Sequence, residues 1–487
     1  MQIIKKLKSL FGRARRQPPT VKTPYRDIPL DILSIILFYI SQESDPSTKR
    51  KSLHSCLLVN RTWCAIVIPM CWSDPFSIIQ SVYAIDTYLN FLSRKERRGL
   101  TMSGIVLPER QKSKLFDYPT YLKELKLSQL WNAADDWWIM KSRTRFRIDK
   151  QKRILTKTLA KLFLGPRSRI RCLTIDSSIL IKSDFVDLRS TLTQLNQAVN
   201  QLCIDKVFDW SMFSAIQNSP AVESITTLDL GEYVFMSDTP NISITDQLLL
   251  VELISSIRKL RRIRIYGHGT MPTEVLRSLG KHANNLKSIT LEYMDFNLLG
   301  DSNAMQAIEA CGLLEELEII NCLNATGQQL APLIDVRFPH MHTLQIITST
   351  SAFETLFISL ASTNSATLRN LAFHPADNYV PSPLRPTSIE VISTLPQTFG
   401  KLGIPFNPTD MSLLRKLLSC PEFAIEELNL FSWKRNPERW HRLDIDLPEC
   451  LKLIRIYTIG GSRVNDFENS LGGRRNNLRL EWIYLPR

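Results

Sequence analysis

Four consecutive segments decide the architecture: LRRIRI at Leu260–Ile265, LKSITL at Leu286–Leu291, LEELEI at Leu314–Ile319 and MHTLQI at Met341–Ile346. Each has the form apolar-x-x-apolar-x-apolar, the pattern of a short strand whose last two apolar residues face one side. Working outward, the same form recurs in YLKELKL, IRCLTI, VNQLCI and ITTLDL before these four, and in LRNLAF, FGKLGI, IEELNL, LKLIRI and LEWIYL after them. The middle apolar residue falls at 125, 173, 202, 228, 263, 289, 317, 344, 371, 402, 428, 454 and 483, and ten of the twelve intervals lie between 26 and 31 residues. Such regularity is the mark of a stacked repeat.

Between the strand segments the apolar residues keep helical spacing, as Met305, Ile308 and Cys311 do in MQAIEACGLLEEL. One strand and one helix per unit of this length resembles the leucine-rich-repeat class, and AIEACGLLEELEIINC resembles its cysteine-containing subtype. The resemblance implies an α/β solenoid, a horseshoe of about 12–13 units over residues 116–487, with parallel strands lining a concave face. Leu317 and Leu344 are then inward, and the residues alternating with such leucines project from the concave face. Candidate client-binding residues there are Arg262, Arg264, Tyr266, Glu292, His374, Phe431, Arg455 and Tyr457, rich in the aromatic and arginine types that anchor interfaces. An outward Arg264 would tolerate replacement by Asp within about 0.5 kcal/mol.

The one long interval, 48 residues, places an insertion at about 131–155, with Trp131, Trp137 and Trp138 followed by a basic run. Its plain reading is a solvated excursion ending in a wet basic helix. Its alternative is a nucleic-acid surface, since aromatics interleaved with arginines stack bases and neutralise phosphates.

Toward the N-terminus, Ile28, Ile32, Ile35, Ile36, Tyr39 and Ile40 form a helical stripe led by Pro29. A polar loop is expected over Ser41 to Lys51, and SLHSCLLVNRTWCAIVIPMCW reads as two short helices that break near Asn60. So small a module cannot cover its own apolar surface and calls for a partner. IPLDILSIIL, CLLVNRTWCAI and CWSDPF together resemble an F-box, with Pro29, Asp31, Leu33, Ile36, Val59, Arg61, Trp63 and Trp72 filling the positions of that motif. The resemblance covers residues 25–76 and implies a three-helix module that docks a Skp-type adaptor through Pro29, Ile32, Leu33, Ile36, Val59, Trp63 and Trp72. Through that adaptor the chain would join an SCF-type cullin-RING ubiquitin ligase as its non-catalytic substrate-recognition subunit, the repeats capturing a client protein for ubiquitination. The alternative is a repeat scaffold that binds protein or nucleic acid independently of ubiquitin. Residues 1–24 read as a basic tail. Residues 77–115 read as a helical linker, with an amphipathic helix from Ile78 to Leu92 that SRKERRGL ends.

The chain has 487 residues and a formal net charge of +14, but the charge is local. Residues 1–22 carry +7 and residues 141–171 carry +11, leaving the rest at −4, so a nucleic-acid-binding stripe along one face is not expected. Nine cysteines without a CxxC pair point to a reducing compartment, cytoplasmic or nuclear. No apolar run approaches the length of a membrane span, and the start lacks a signal-peptide cleavage pattern. Walker, HExxH, GxSxG and dinucleotide motifs are missing, so neither an enzyme nor a cofactor or metal site is expected.

Overall fold

The computed structural model describes residues 29–485 apart from 44, 80, 111–115, 142–147, 166–168, 177–188, 207–209, 234–243, 268–272, 300–301, 349–350, 375–399 other than Ser388, Val391 and Ile392, 407–424 other than Leu414, Leu417 and Leu418, 433–449 and 460–478. The basic tail of residues 1–24 lies outside the described residues. The chain divides into two compact units, Met1–Val199 with Ser219–Ala221, and Asn200–Asn218 with Val222–Arg487. That boundary falls inside the stretch the repeat spacing assigns to one array.

The first unit opens with three helices, α1 (Leu30–Ser41), α2 (Pro46–Leu57) and α3 (Arg61–Cys71). Asn60 breaks the chain between α2 and α3 where the sequence suggests, its side chain accepting from the Trp63 amide at 2.9 Å as an N-cap. The expected polar loop is shorter than its composition suggests. Asp45 caps α2 by accepting from the amides of Ser47 and Thr48, and Pro46 at the first helical position needs no N–H, so the charged residues from Lys49 onward are helical.

After α4 (Pro75–Ile78) and α5 (Ser81–Leu89), SRKERRGL begins a helix rather than ending one. Ser93 and Glu96 form a reciprocal capping box at the start of α6 (Arg94–Met102), satisfying two amides that a helix start leaves open. Strand β1 (Glu124–Lys126) pairs in parallel with β2 (Cys172–Ile175), and the long interval between them is filled by α7 (Leu127–Lys141) and α8 (Ile148–Leu164).

The proposed insertion is therefore not a solvated excursion. Leu130, Trp131, Ala134, Trp137 and Trp138 recur along one face of α7, and all are buried. Trp137 donates its indole N–H to Asp86 Oδ1 at 2.7 Å, and Lys141 pairs with the other oxygen at 3.1 Å. Lys152, from the basic run, is buried beneath α7, 3.0 Å from Asp135 and 4.5 Å from the Trp131 ring centroid. Burying three indoles outweighs the polar character of their neighbours, since each aromatic removes far more apolar area from water than the flanking alkyl stems.

In the second unit strands β3 (Gln201–Lys206), β4 (Thr227–Tyr233), β5 (Arg262–Tyr266), β6 (Ser288–Glu292), β7 (Glu316–Ile320), β8 (Thr343–Ile347), β9 (Asn370–His374), β10 (Lys401–Phe406), β11 (Glu427–Ser432), β12 (Leu453–Ile459) and β13 (Arg479–Leu485) lie side by side in chain order. Every described pairing is parallel, and the register aligns Leu228, Ile263, Ile289, Leu317, Leu344, Leu371, Leu402, Leu428 and Ile454 in one row. That row and the one two residues on are buried throughout, which is the solenoid core of the leucine-rich-repeat pattern.

One register expectation fails. Ile454 pairs with Leu480, so the repeat register of the last strand falls at Leu480 and not at Ile483, and the final interval is 26 residues. Leu480 to Leu485 fits the full apolar pattern with Ile483 in the middle, whereas Leu480 as the middle residue has Asn477 three before it; parallel pairing with β12 overrides the pattern.

The links between strands are helical to different degrees. They include α9 (Ser211–Gln217), α10 (Ile244–Ser256), α11 (Thr273–Ser278) and α12 (Ser351–Thr363), which bury Phe213 and Ile216, Leu250 and Leu253, Val275 and Leu276, and Phe353 and Phe357, while Leu248 of α10 stays exposed. Between β6 and β8 the helical segments shorten to single turns at Gln306–Glu309 and Gly327–Leu330, yet Met305, Ile308 and Cys311 remain buried as their spacing implies. Among the described residues, no helix is long and apolar enough to cross a membrane.

Candidate binding surfaces

On α1 the apolar residues outnumber what the helix can bury. Leu33 and Leu37 point into the first unit, 3% and 0% exposed, and they are the residues that hold α1 in place. Leu30, Ile32, Ile35, Ile36, Phe38 and Tyr39 remain 42% to 72% exposed, and Leu58 and Val59, in the turn between α2 and α3, are exposed as well. Pro29 precedes the helix as its exposed N-cap residue, with an extended backbone and no side-chain cap. Trp63 is half-buried.

Two members of the predicted docking set are placed elsewhere. Leu33 belongs to the inner face of α1, and Trp72 is 7% exposed, its ring 5.3 Å from Tyr88 edge-on and 4.2 Å from Tyr118. Trp72 thus joins an aromatic core under α5, where burial also pushes the Tyr118 hydroxyl up to about 12. Its sequence position gave no sign of this, because an aromatic at a helix C-terminus can turn either way.

In the second unit the rows alternating with the core carry the charge. Arg264 on β5 lies between two carboxylates of neighbouring strands: its Nη2 donates to Glu292 Oε2 at 2.7 Å, and its Nη1 stands 3.7 Å from Asp229 Oδ2. Glu292 is 7% exposed, so Arg264 is the counter-charge of a buried acid rather than a free side chain. The hydrogen bond to Glu292 raises the guanidinium pKa, and burial lifts the Asp229 carboxyl above the usual range against the pull of Arg264. Arg262, one row over, is exposed.

Tyr266 stacks on Tyr293, with ring centroids 4.7 Å apart and planes at 30°. Tyr293 is 42% exposed and holds a left-handed backbone, φ 52°, while its amide donates to Ile320 O at 2.8 Å and so prolongs the β6–β7 ladder by one residue. Sequence reasoning missed Tyr293, because alternation stops at the strand end; the residue following an outward Glu292 was the only available hint.

Toward the other end, Arg455 on β12 donates from Nε to Glu481 Oε2 at 2.7 Å and from Nη1 to Glu427, bridging β11 and β13. The Arg455 hydrogen bond holds the Glu481 carboxyl below its usual range. Phe431 lies across β10: a Cβ on Gly403 would stand 3.3 Å from its ring, so the glycine is what lets the ring settle there. The side chains of His374 and Tyr457 lie outside the described residues. Cys203 pairs in register with Asp229 and so stands in the outward row.

The structure therefore gathers Arg262, Arg264, Tyr266 and Glu292 on adjacent strands β5 and β6. It separates them along the sheet from Phe431 and Arg455 on β11 and β12. Among the described residues, no group of three or more His, Cys, Asp or Glu side chains could hold a metal ion.

No protein-family profile matches the chain. Nor does any curated protein match it. Among solved structures, an internalin from Listeria monocytogenes aligns with a TM-score of 0.30 and 13% identity, over 56% of this chain and 70% of that one.

Proposed function

We propose that this protein is the substrate-recognition subunit of an SCF-type ubiquitin ligase, the α1–α3 module docking a Skp-type adaptor and the outward rows of the repeat sheet capturing a client protein. The observation that carries the reading is the exposed face of α1 with Leu58 and Val59. A soluble surface seldom leaves so many large apolar side chains together unless a second chain covers them. The catalytic chemistry belongs to other subunits of the ligase. This chain contributes proximity, raising the effective concentration of the client at the ubiquitin-transfer site. Such a ligase subunit works in the cytoplasm or nucleus. The nucleic-acid alternative loses its stacking platform, because Trp131, Trp137 and Trp138 are core residues.

Pulldown with a purified Skp-type adaptor tests the reading. Truncating Ile32 and Ile36 to Ala should weaken adaptor binding by about 2 kcal/mol or more, roughly thirtyfold, with little change in melting temperature because both are exposed. An Arg262→Ala variant should bind the adaptor as wild type does. Failure of the wild-type chain to bind, or full binding by the truncated one, replaces this reading with a repeat scaffold independent of ubiquitin.

A further inference from the structure

The segment from Ser93 to Arg110 carries a basic run for which the docking and capture roles have no use. Helix α6 ends in a left-handed glycine, Gly104 at φ 82°. Its amide donates to Thr101 O at 3.0 Å and the Ile105 amide to Leu100 O at 3.1 Å, the paired bonds of a Schellman stop. Ile105 is 1% exposed and anchors the reversal. The chain then runs back beside α6, and Arg97 stitches it there, donating to Leu89 O at 2.8 Å and to Pro108 O at 2.7 Å.

Between the helix and the returning chain lies an open cavity of about 560 Å³, lined by Arg97, Arg98 and Thr101 on the helix side and by Ile105, Val106, Leu107 and Arg110 among the returning residues. Glu109 is the one acid in the lining, and among the described residues no carboxylate pairs with Arg98 or Arg110. Both arginines are exposed, and Glu96, the nearest acid on the helix, is occupied by the capping box. The charge of Arg110 reaches Arg97, whose pKa is lowered by burial first and by that neighbouring cation second. The lining sets three guanidiniums against one carboxylate, and while a single guanidinium fork matches the paired oxygens of a carboxylate or a phosphate, two exposed guanidiniums suit the doubly charged phosphate.

We infer that this cavity is a binding site for a phosphomonoester, its dianion held by Arg98 and Arg110 and its organic portion lying against Val106 and Leu107. Arg97 is a positioning residue, since its amino groups are spent on the two carbonyls that shape the cavity. A phosphorylated side chain and a small sugar phosphate share that chemistry. The site is independent of adaptor docking.

Isothermal titration of the full chain with a phosphoserine tripeptide, with glucose phosphate and with inorganic phosphate tests the inference. At least one organic phosphate should bind more tightly than inorganic phosphate, and whichever binds more tightly names the source. The Arg98→Gln, Arg110→Gln double variant should lose at least about tenfold in affinity. An Arg94→Gln, Lys95→Gln double variant removes the same charge from the same helix outside the cavity and should keep it. Absence of binding by all three probes at about 10 mM overturns the site. So does an equal loss in the two double variants, which would mean diffuse charge attraction, or unchanged binding by the Arg98, Arg110 variant. Adaptor pulldown by the same variants should be unaltered, so failure here leaves the ligase reading standing.

Discussion

Arg264 on one strand and Glu292 on the next are joined by a 2.7 Å hydrogen bond, and Glu292 is one of the few buried carboxylates among the described residues. Since Asp229 flanks the same guanidinium at 3.7 Å, a single cation balances two acids from opposite sides. This ties an outward position, which strand alternation alone would treat as free, to the stability of three strands.

Replacing Arg264 with Asp places three carboxylates together, one of them buried. We expect a loss of roughly 1–3 kcal/mol, measured as a lower urea midpoint, and not the near-neutral effect expected of an isolated outward residue. Arg264→Lys, which keeps the charge, should lose less. A midpoint within experimental error of wild type for Arg264→Asp would mean that Glu292 is solvated rather than buried.

Trp137→Phe keeps most of the buried ring and deletes the hydrogen bond to Asp86. It should cost about 1–2 kcal/mol, because Asp86 retains only the exposed Lys141 as partner. Nonspecific binding to nucleic acid, read as retention on a DNA column, should not change. If that binding falls while stability holds, the indoles are surface groups and their assignment to the core is wrong.

Leu317 is fully buried in the row that every neighbouring repeat shares. Leu317→Asp should cost several kcal/mol and expose β6, β7 and β8 together to hydrogen exchange, since each repeat is stabilised by those on either side. A soluble variant with an unchanged melting temperature would show that the row does not face the core.

Cysteine labelling reads the core without mutation. Burial pushes the thiols of Cys71 and Cys322 up to about 12 and that of Cys311 up to about 11, and all three are buried. Near pH 8 almost none of each is thiolate, so native-state alkylation should spare them and modify the half-exposed Cys172, Cys203 and Cys450 first. Mass spectrometry after a short pulse should show that order, and denaturant should abolish it. Labelling of Cys322 as fast as Cys203 would place the β6–β7 edge in solvent.

Much of the second unit is legible from local pattern. Apolar residues two apart on a strand must share a face, so the rows of Leu228, Ile263 and Leu317 could be drawn without coordinates. The last strand shows the limit: Ile483 fits the pattern and Leu480, preceded by Asn477, does not, yet pairing with β12 sets Leu480 beside Ile454. The α1 stripe met a related limit. Ile32, Ile36 and Leu33, Leu37 are two apolar faces of one helix, and packing against α2 and α3 decides which turns inward.

By itself the sequence determined the repeat period, the inward rows of most strands, the break at Asn60 and the helical character of the N-terminal segment, because each depends on residues close in the chain. Only the tertiary structure decided that Trp72, Trp131, Trp137 and Trp138 are buried, that Arg264 is held between Asp229 and Glu292, and that Arg98 and Arg110 share a cavity. Asp86 and Trp137 are 51 residues apart, and Arg264 and Glu292 are 28. A hydrogen bond over such a separation has no trace in spacing or composition; it exists only once packing has brought the two backbones to contact distance.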